Sequence, residues 1–285
     1  MQLRLMREAD IPAGMRLKEI AGWNQTGDDW RRFLEASPGG CFVAEVGGKV
    51  CGTATTIVYD NRFAWIGMVL VDPEYRSRGF GTQLLQKAIK YLNKRQIATI
   101  KLDATPQGKP IYENLRFACE YELERWTLQR TAADAGIVRG CDRSESVSPK
   151  LLESVFGKDQ EIFGASRSTL LKSLHRDAPH LSIAMSKNGE LEAYAFGRRG
   201  SFADHLGPWV ASNADPARRV LETFVARSSR NAIIVDRVKA NAITESLLRA
   251  AGFTYARSLT RMVRGPNKYA GRIDSLCAVL GPEFG

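Results

Sequence analysis

Cysteine and histidine are scarce in this chain, with five of the first and three of the second among 285 residues. Cys41, Cys51, Cys119, Cys141 and Cys277 are scattered and none has a C-x-x-C partner, so a disulfide framework is excluded and no metal site is expected. With so few histidines and no serine or cysteine nucleophile elbow, a hydrolase triad is not expected either. Long apolar runs are also missing: nothing approaches the roughly 20 residues that a membrane-spanning helix needs. Met1 to Arg7 alternate polar and apolar side chains like a strand and hold no signal-peptide core. These absences lead to the expectation of a reduced, cytoplasmic, soluble protein with no membrane partner.

What is present is enough apolar material for a core, 44% hydrophobic and 9% aromatic residues, which excludes wholesale disorder. The length is about twice that of a typical domain. Lysine and arginine number 41 against 31 aspartate and glutamate, a formal net charge of +10 that admits nucleic acid, a membrane surface or a phosphorylated cofactor as partner. The excess is spread along the chain, with 19 basic and 15 acidic residues in the first 130, so neither half is a basic module. No helix-turn-helix or aromatic–basic stripe is visible, and no nucleic-acid partner is expected.

Residues 2–6 read as a strand, 9–22 as a helix, and a second helix starts near Asp28, where Asp28 and Asp29 can cap it. Cys41–Val46 and Lys49–Val58 flank Gly47-Gly48 as a β-hairpin. Phe63–Val71 makes a third strand that ends at Asp72-Pro73. The period then changes: Leu84, Leu85, Ala88, Ile89 and Leu92 share one face of a helix over about 79–94. A buried strand at 98–102, a short helix at 110–115 and a strand region at 117–128 complete an α/β pattern around a mixed sheet. Residues 131–149 are small and polar and read as a linker between a domain at 1–130 and one at 150–285. The later part repeats the order of the first: a hairpin over 181–196, a strand at 205–211, a helix at 216–227, a strand at 232–236, and a helix over 241–252 stopped by glycine. Gly67 aligns with Gly207, Asp103 with Asp236 and Phe117 with Phe253.

The chemistry is concentrated between Met68 and Thr82, where an apolar strand turns into the long helix. Gly79 and Gly81 strip side chains from the turn and leave amides pointing outward, and unpaired N–H groups at a helix start form an anion site. Arg76 and Arg78 add positive charge, so a diphosphate suits the turn. The spacings GxxxxGK[ST] and GxGxxG are both absent. Arg76-Ser77-Arg78-Gly79-Phe80-Gly81 resembles the R/Q-x-x-G-x-G/A motif of the Gcn5-related N-acetyltransferases, the GNAT superfamily. The resemblance implies that Arg76, Ser77, Arg78, Gly79, Phe80, Gly81 and Thr82 hold the pyrophosphate of coenzyme A. It also implies that Met68, Val69, Leu70 and Val71 hold its pantetheine arm, in a strand splayed from the next one.

Tyr112-Glu113-Asn114-Leu115-Arg116-Phe117 is similar to the family's Y-E-x-x-G-F element, which makes Tyr112 the group that protonates the departing thiolate. The sequence departs from the pattern at Arg116, which replaces a glycine at a helix end where a left-handed residue is usual, so a strained or rebuilt cap is expected. Thr105 stands where the family has asparagine. "HLGPWVA" at 205–211, "RMVRG" at 261–265 and "GPEFG" at 281–285 resemble the bacterial YitH-like subgroup, in which a second acetyltransferase-like domain follows the first. That second copy lacks the glycine pair (Ser212-Asn213-Ala214-Asp215-Pro216) and has Leu248 where Tyr112 would stand, so it is expected to be degenerate.

The resemblance thus implies an α/β (α+β) fold class, with tandem GNAT folds, each a mixed, mostly antiparallel twisted sheet flanked by helices. It implies an acetyl-CoA-dependent N-acetyltransferase acting by direct attack of an amine in a ternary complex, as a monomer or homodimer. The acceptor is a small-molecule or peptide amine. A non-enzymatic acyl-CoA-binding regulator is the alternative. Asp103, at a strand end, is the leading candidate for general base. Trp23, Asn24, Trp65, His205 and Asp236 are candidates to line the acceptor pocket, each with ordinary packing as the competing role.

Overall fold

The computed structural model describes residues 1–130 and 147–285. The expected linker at 131–149 therefore lies almost wholly outside the described residues. The chain forms two compact units that do not follow its linear order. The first comprises Met1–Ala118, Met262–Lys268 and Glu283–Gly285, and the second Cys119–Arg261 and Tyr269–Pro282. Residues 119–129, read with the first half on sequence, fold in the second unit, and two late segments fold in the first. Contacts between residues far apart in the chain, which local periodicity does not report, decide this.

In the first unit, β1 (Gln2–Leu5), β2 (Phe42–Val46), β3 (Lys49–Tyr59) and β4 (Phe63–Val71) pair antiparallel in that order. Next comes β5 (Ile100–Ala104), parallel to β4. Helices α1 (Ile11–Ile20) and α2 (Gly27–Ala36) precede the hairpin, α3 (Phe80–Lys94) follows β4, and α4 (Lys109–Asn114) follows β5. The five α3 positions expected on one face, Leu84, Leu85, Ala88, Ile89 and Leu92, are its buried residues. They pack on Phe42, Ala54, Ala64, Ile66, Ile100 and Leu102. The start of α2 differs from expectation: Thr26 flanks it, its N–H donating 2.8 Å to the Asp29 carboxylate.

In the second unit, α5 (Pro149–Phe163) and α6 (Ser168–Asp177) lead into β7 (Ile183–Lys187), β8 (Glu190–Arg199) and β9 (Asp204–Ala211), which are antiparallel neighbours. Helix α7 (Ala214–Arg227), β10 (Ala232–Val238) and α8 (Ala242–Ala250) follow. Strand β6 (Ala118–Gln129) pairs antiparallel with β10 along seven residues. Strands β11 (Thr254–Arg264) and β12 (Leu276–Ala278) complete the set. Trp126, Leu181, Trp209, Phe224, Leu248 and Phe253 anchor the core of this unit.

Candidate active site

Strand β4 carries a bulge. Thr53 pairs with Leu70 and Thr55 with Gly67, so Met68 and Val69 together oppose Ala54. Met68 takes the left-handed conformation, φ 51°, and the Thr53 hydroxyl holds it by donating 2.7 Å to the Met68 carbonyl. The extra residue reverses the side-chain alternation: Ala64 and Ile66 face the α3 core, and past the bulge Val69 and Val71 do. Nothing in the run Met68 to Val71 announces this, because uninterrupted apolar residues have no alternation to break.

Beside the bulge the sheet opens. Strands β4 and β5 pair only at Ala64–Ile100 and Trp65–Lys101, after which neither pairs with the other. The upper part of β4, with Met68, Val69, Leu70 and Val71, therefore presents backbone to a wedge whose other wall is β5. Asp103 lies on that wall, off the Ile100–Leu102–Ala104 face that packs on α3, and is half-buried.

The turn after β4 is built by charge and by missing partners. Asp72 accepts from Arg16 at 2.7 Å and from the Glu74 N–H at 3.2 Å. Burial alone would raise the Asp72 carboxyl, but these hydrogen bonds outweigh it and hold the group below the ordinary carboxylate range. Arg76 reaches back to the Val71 carbonyl at 3.1 Å, and Arg78 lies over the Tyr75 ring, which itself stacks on Phe80. Ser77 and Gly79 both have positive φ, 60° and 76°. No side chain caps α3. Among the described residues the six consecutive amides from Ser77 to Thr82 have no acceptor, and all six residues are exposed or half-buried. Such a row of N–H groups at the positive end of a 15-residue helix is a cradle for an anion.

Tyr112 sits on α4, its ring edge-on to Phe117 at 6.1 Å. Its hydroxyl has no hydrogen-bond partner among the described residues, and burial pushes its pKa up to about 12. It is protonated at neutral pH and free to donate. Of the two cysteines in the first unit, Cys41 is buried with its thiol pushed up to about 12, and Cys51 is buried with its thiol raised. Neither is a nucleophile there.

The remaining candidates are sealed or only partly exposed. Trp65 is fully buried, Asn24 buried and Trp23 half-buried in the first unit. His205 and Asp236, candidates to line the pocket with ordinary packing as the competing role, are interior to the second unit at 1% and 0% exposure. Asp236 is gripped by Arg125 at 2.8 and 2.7 Å, and His205 Nε2 lies 3.1 Å from it. Burial opposes the Asp236 charge, but Arg125 overrides it and the carboxyl stays far below its ordinary range. Burial lowers the His205 pKa, so the ring is neutral.

The second unit repeats the splay and then fills it. Strands β9 and β10 pair in parallel at Asp204–Ile233, His205–Ile234 and Leu206–Val235. Beyond these rungs β12 lies between them, Ala278 facing Arg237 on one side and Trp209 on the other. The Val279 carbonyl lies against Gly207, 2.0 Å from where a Cβ would stand. The matching glycine of the first unit, Gly67, is approached by the Glu283 backbone at 2.6 Å. Helix α7, unlike α3, is capped by its own Asn213, which accepts from the Asp215 N–H at 3.2 Å. Leu248 is fully buried.

Comparison with known proteins agrees with this duplication. Residues 12–114 match the acetyltransferase (GNAT) family model, and residues 155–278 match a second acetyltransferase (GNAT) domain model. Over 92% of the chain and 87% of the relative, the sequence is 23% identical to the holothin acyltransferase of a Pseudoalteromonas strain. It is 24% identical to the N-acetyltransferase YitH of Bacillus subtilis over 79% of this chain and 78% of that one. Two solved structures share the fold. One from Pyrococcus horikoshii has a TM-score of 0.80 at 23% identity, covering 100% of this chain and 95% of its own. The other, a GCN5-related N-acetyltransferase from Sphaerobacter thermophilus, has a TM-score of 0.66 at 16% identity, covering 95% and 98%. No helix among the described residues is long and apolar enough to cross a membrane. With two GNAT domain matches that together span well over half of its length, the chain is a tandem, YitH-like member of the Gcn5-related N-acetyltransferase family and an acetyltransferase.

Proposed function

We propose that the first unit binds acetyl-CoA and passes its acyl group to an amine by direct attack within a ternary complex. The observation that carries this is the row of six partnerless amides from Ser77 to Thr82, which follows the splayed end of β4. These amides, with Arg76 and Arg78, would hold the pyrophosphate, and the backbone of Met68 to Val71 would orient the pantetheine arm along the wedge. Acetyl-CoA supplies a thioester carbonyl that an amine can attack. The chain's own residues then manage the charge: Asp103 or a water it holds takes the proton that the attacking amine sheds, and the Tyr112 hydroxyl donates a hydrogen bond to the departing sulfur. Direct attack, without an acyl-enzyme, is favoured because both first-unit cysteines are buried with raised pKa values.

The second unit is read as a degenerate copy. Its wedge holds β12, its helix start is capped by Asn213 and Leu248 replaces the phenol, so one active site per chain is proposed. The Pseudoalteromonas relative is named for acyl transfer to holothin, and on that likeness holothin heads the panel of acceptors to test, followed by small amines and peptide N-termini. Thermal-shift titration with acetyl-CoA, then free-thiol release across that panel, tests the reading. Gly81→Trp should abolish coenzyme A binding; normal binding by that variant would overturn the loop assignment.

A further inference from the structure

The C-terminal ends of α3 and α4 and residue Arg264 border a cavity of about 580 Å³. Its wall includes Lys90, Lys94, Arg116 and Arg264 beside Asn93 and Asn114. No carboxylate lines it, and none of the four cations has an ion-pair partner among the described residues. Lys90 and Lys94 are one helical turn apart and repel each other, a tension that a bound anion would relieve. Arg264 is steadied by a 3.2 Å hydrogen bond from its Nε to the Leu115 carbonyl.

Arg116 is held at this cavity against its own backbone preference. The Arg116 N–H bonds to the Glu113 carbonyl at 2.9 Å and the Phe117 N–H to the Tyr112 carbonyl at 3.0 Å, a closed turn that forces Arg116 to φ 66°. The second unit supplies the control. Helix α8 ends in the same turn, with Gly252 N–H to Arg249 at 3.0 Å and Phe253 N–H to Leu248 at 2.9 Å, and its left-handed residue is a glycine at φ 84°. The turn therefore accepts glycine, yet the first unit carries arginine at a conformational cost and delivers the guanidinium to a cavity that already holds three cations.

We propose that this cavity binds a small phosphorylated polyanion, at a site separate from the coenzyme loop. The helical rise puts Lys90 and Lys94 about 15 and 21 Å from the start of α3, at its opposite end. Lys90 and Lys94 also border a neighbouring groove with Lys87, but Arg116 and Arg264 come to this cavity from other elements, and four cations converging on one cavity suit a compact ligand with two or more phosphate groups.

Inorganic tripolyphosphate is the probe, titrated calorimetrically into the full chain alone and with saturating coenzyme A. Expected is one molecule bound even when coenzyme A is saturating, with affinity reduced about tenfold or more in Arg116→Gly and in the Lys90→Gln/Lys94→Gln pair. Arg116→Gly should fold at least as well as the parent, with an equal or higher Tm, so weaker binding by it is not unfolding. Unchanged affinity in Arg116→Gly would overturn the proposal. So would loss of the tripolyphosphate isotherm on adding coenzyme A, or tighter binding of single-stranded oligonucleotides that strengthens with their length. Should coenzyme A itself not bind, the coenzyme reading alone fails, and the Arg116→Gly comparison still decides this one.

Discussion

Replacing Tyr112 by phenylalanine removes one oxygen from a ring whose packing on Phe117 is left intact. Because that hydroxyl makes no hydrogen bond among the described residues, stability should change by less than about 0.5 kcal/mol. Its effect on turnover follows from two pKa values. Burial pushes the phenol up to about 12, above a thiol near 8.5, so complete proton transfer to a thiolate is uphill. The phenol therefore serves by donating a hydrogen bond to the sulfur as charge builds there. A hydrogen bond to a charged group is worth about 1.5–3 kcal/mol, which corresponds to a loss of roughly 10- to 150-fold in kcat. Free-thiol release at saturating acetyl-CoA, with KM measured beside kcat, is the assay. A kcat within twofold of the parent would refute the role of Tyr112. A fall in Tm of several degrees would show instead that the hydroxyl is structural.

Gly207→Ala puts a Cβ 2.0 Å from the Val279 carbonyl, a backbone atom that cannot swing aside, so the protein should lose about 2–3 kcal/mol in denaturant unfolding. If coenzyme binding occurs only in the first unit, the dissociation constant for acetyl-CoA should not move in that variant. Asp236→Ala, which leaves Arg125 without its buried partner, should cost about 3–5 kcal/mol by the same measurement. Stability should also depend on pH with a definite sign. His205 has a folded pKa below its unfolded value near 6.5, so its contribution is present above pH 6.5 and declines as the pH falls through that value. His175 and His180 are lowered by burial too and act in the same direction. Asp236, depressed in the fold, adds a second decline once the pH drops below about 4. Thermal melts from pH 8 to pH 3 should show both, and a Tm that rises between pH 7 and 5.5 would contradict the neutral, buried His205.

Much of the first unit was legible because its signals are local. Asp72-Pro73 ends β4 at Val71, Gly47 and Gly48 both take the positive φ that a tight hairpin needs, and the α3 stripe is buried residue for residue. The glycine turn was readable as an anion cradle for the same reason: amides left without acceptors follow from two glycines and a helix start. Strand β5 runs two residues later than its apolar pattern suggests, at Ile100–Ala104, and the Thr99 hydroxyl bonds instead to the Pro266 carbonyl. The strain at Arg116 was also readable, since a non-glycine residue at that helix end has no easier conformation. What Arg116 faces was not.

By itself, then, the sequence determined the order of elements in the first unit, the buried face of α3, the glycine turn and the duplication, whereas α5, α6, β11 and β12 went unread. Only tertiary structure decided the bulge at Met68, the splay of β4 from β5, and the occupation of the corresponding splay in the second unit by β12. It also decided that residues 262–268 and 283–285 belong to the first unit. The physical reason is that periodicity reports which face of an element is apolar, whereas strand pairing depends on which distant backbone comes to satisfy its N–H and C=O groups. His205 and Asp236 illustrate the difference. Their residue types suggested a site, but Arg125, 111 residues from Asp236 along the chain, makes them an interior charge cluster.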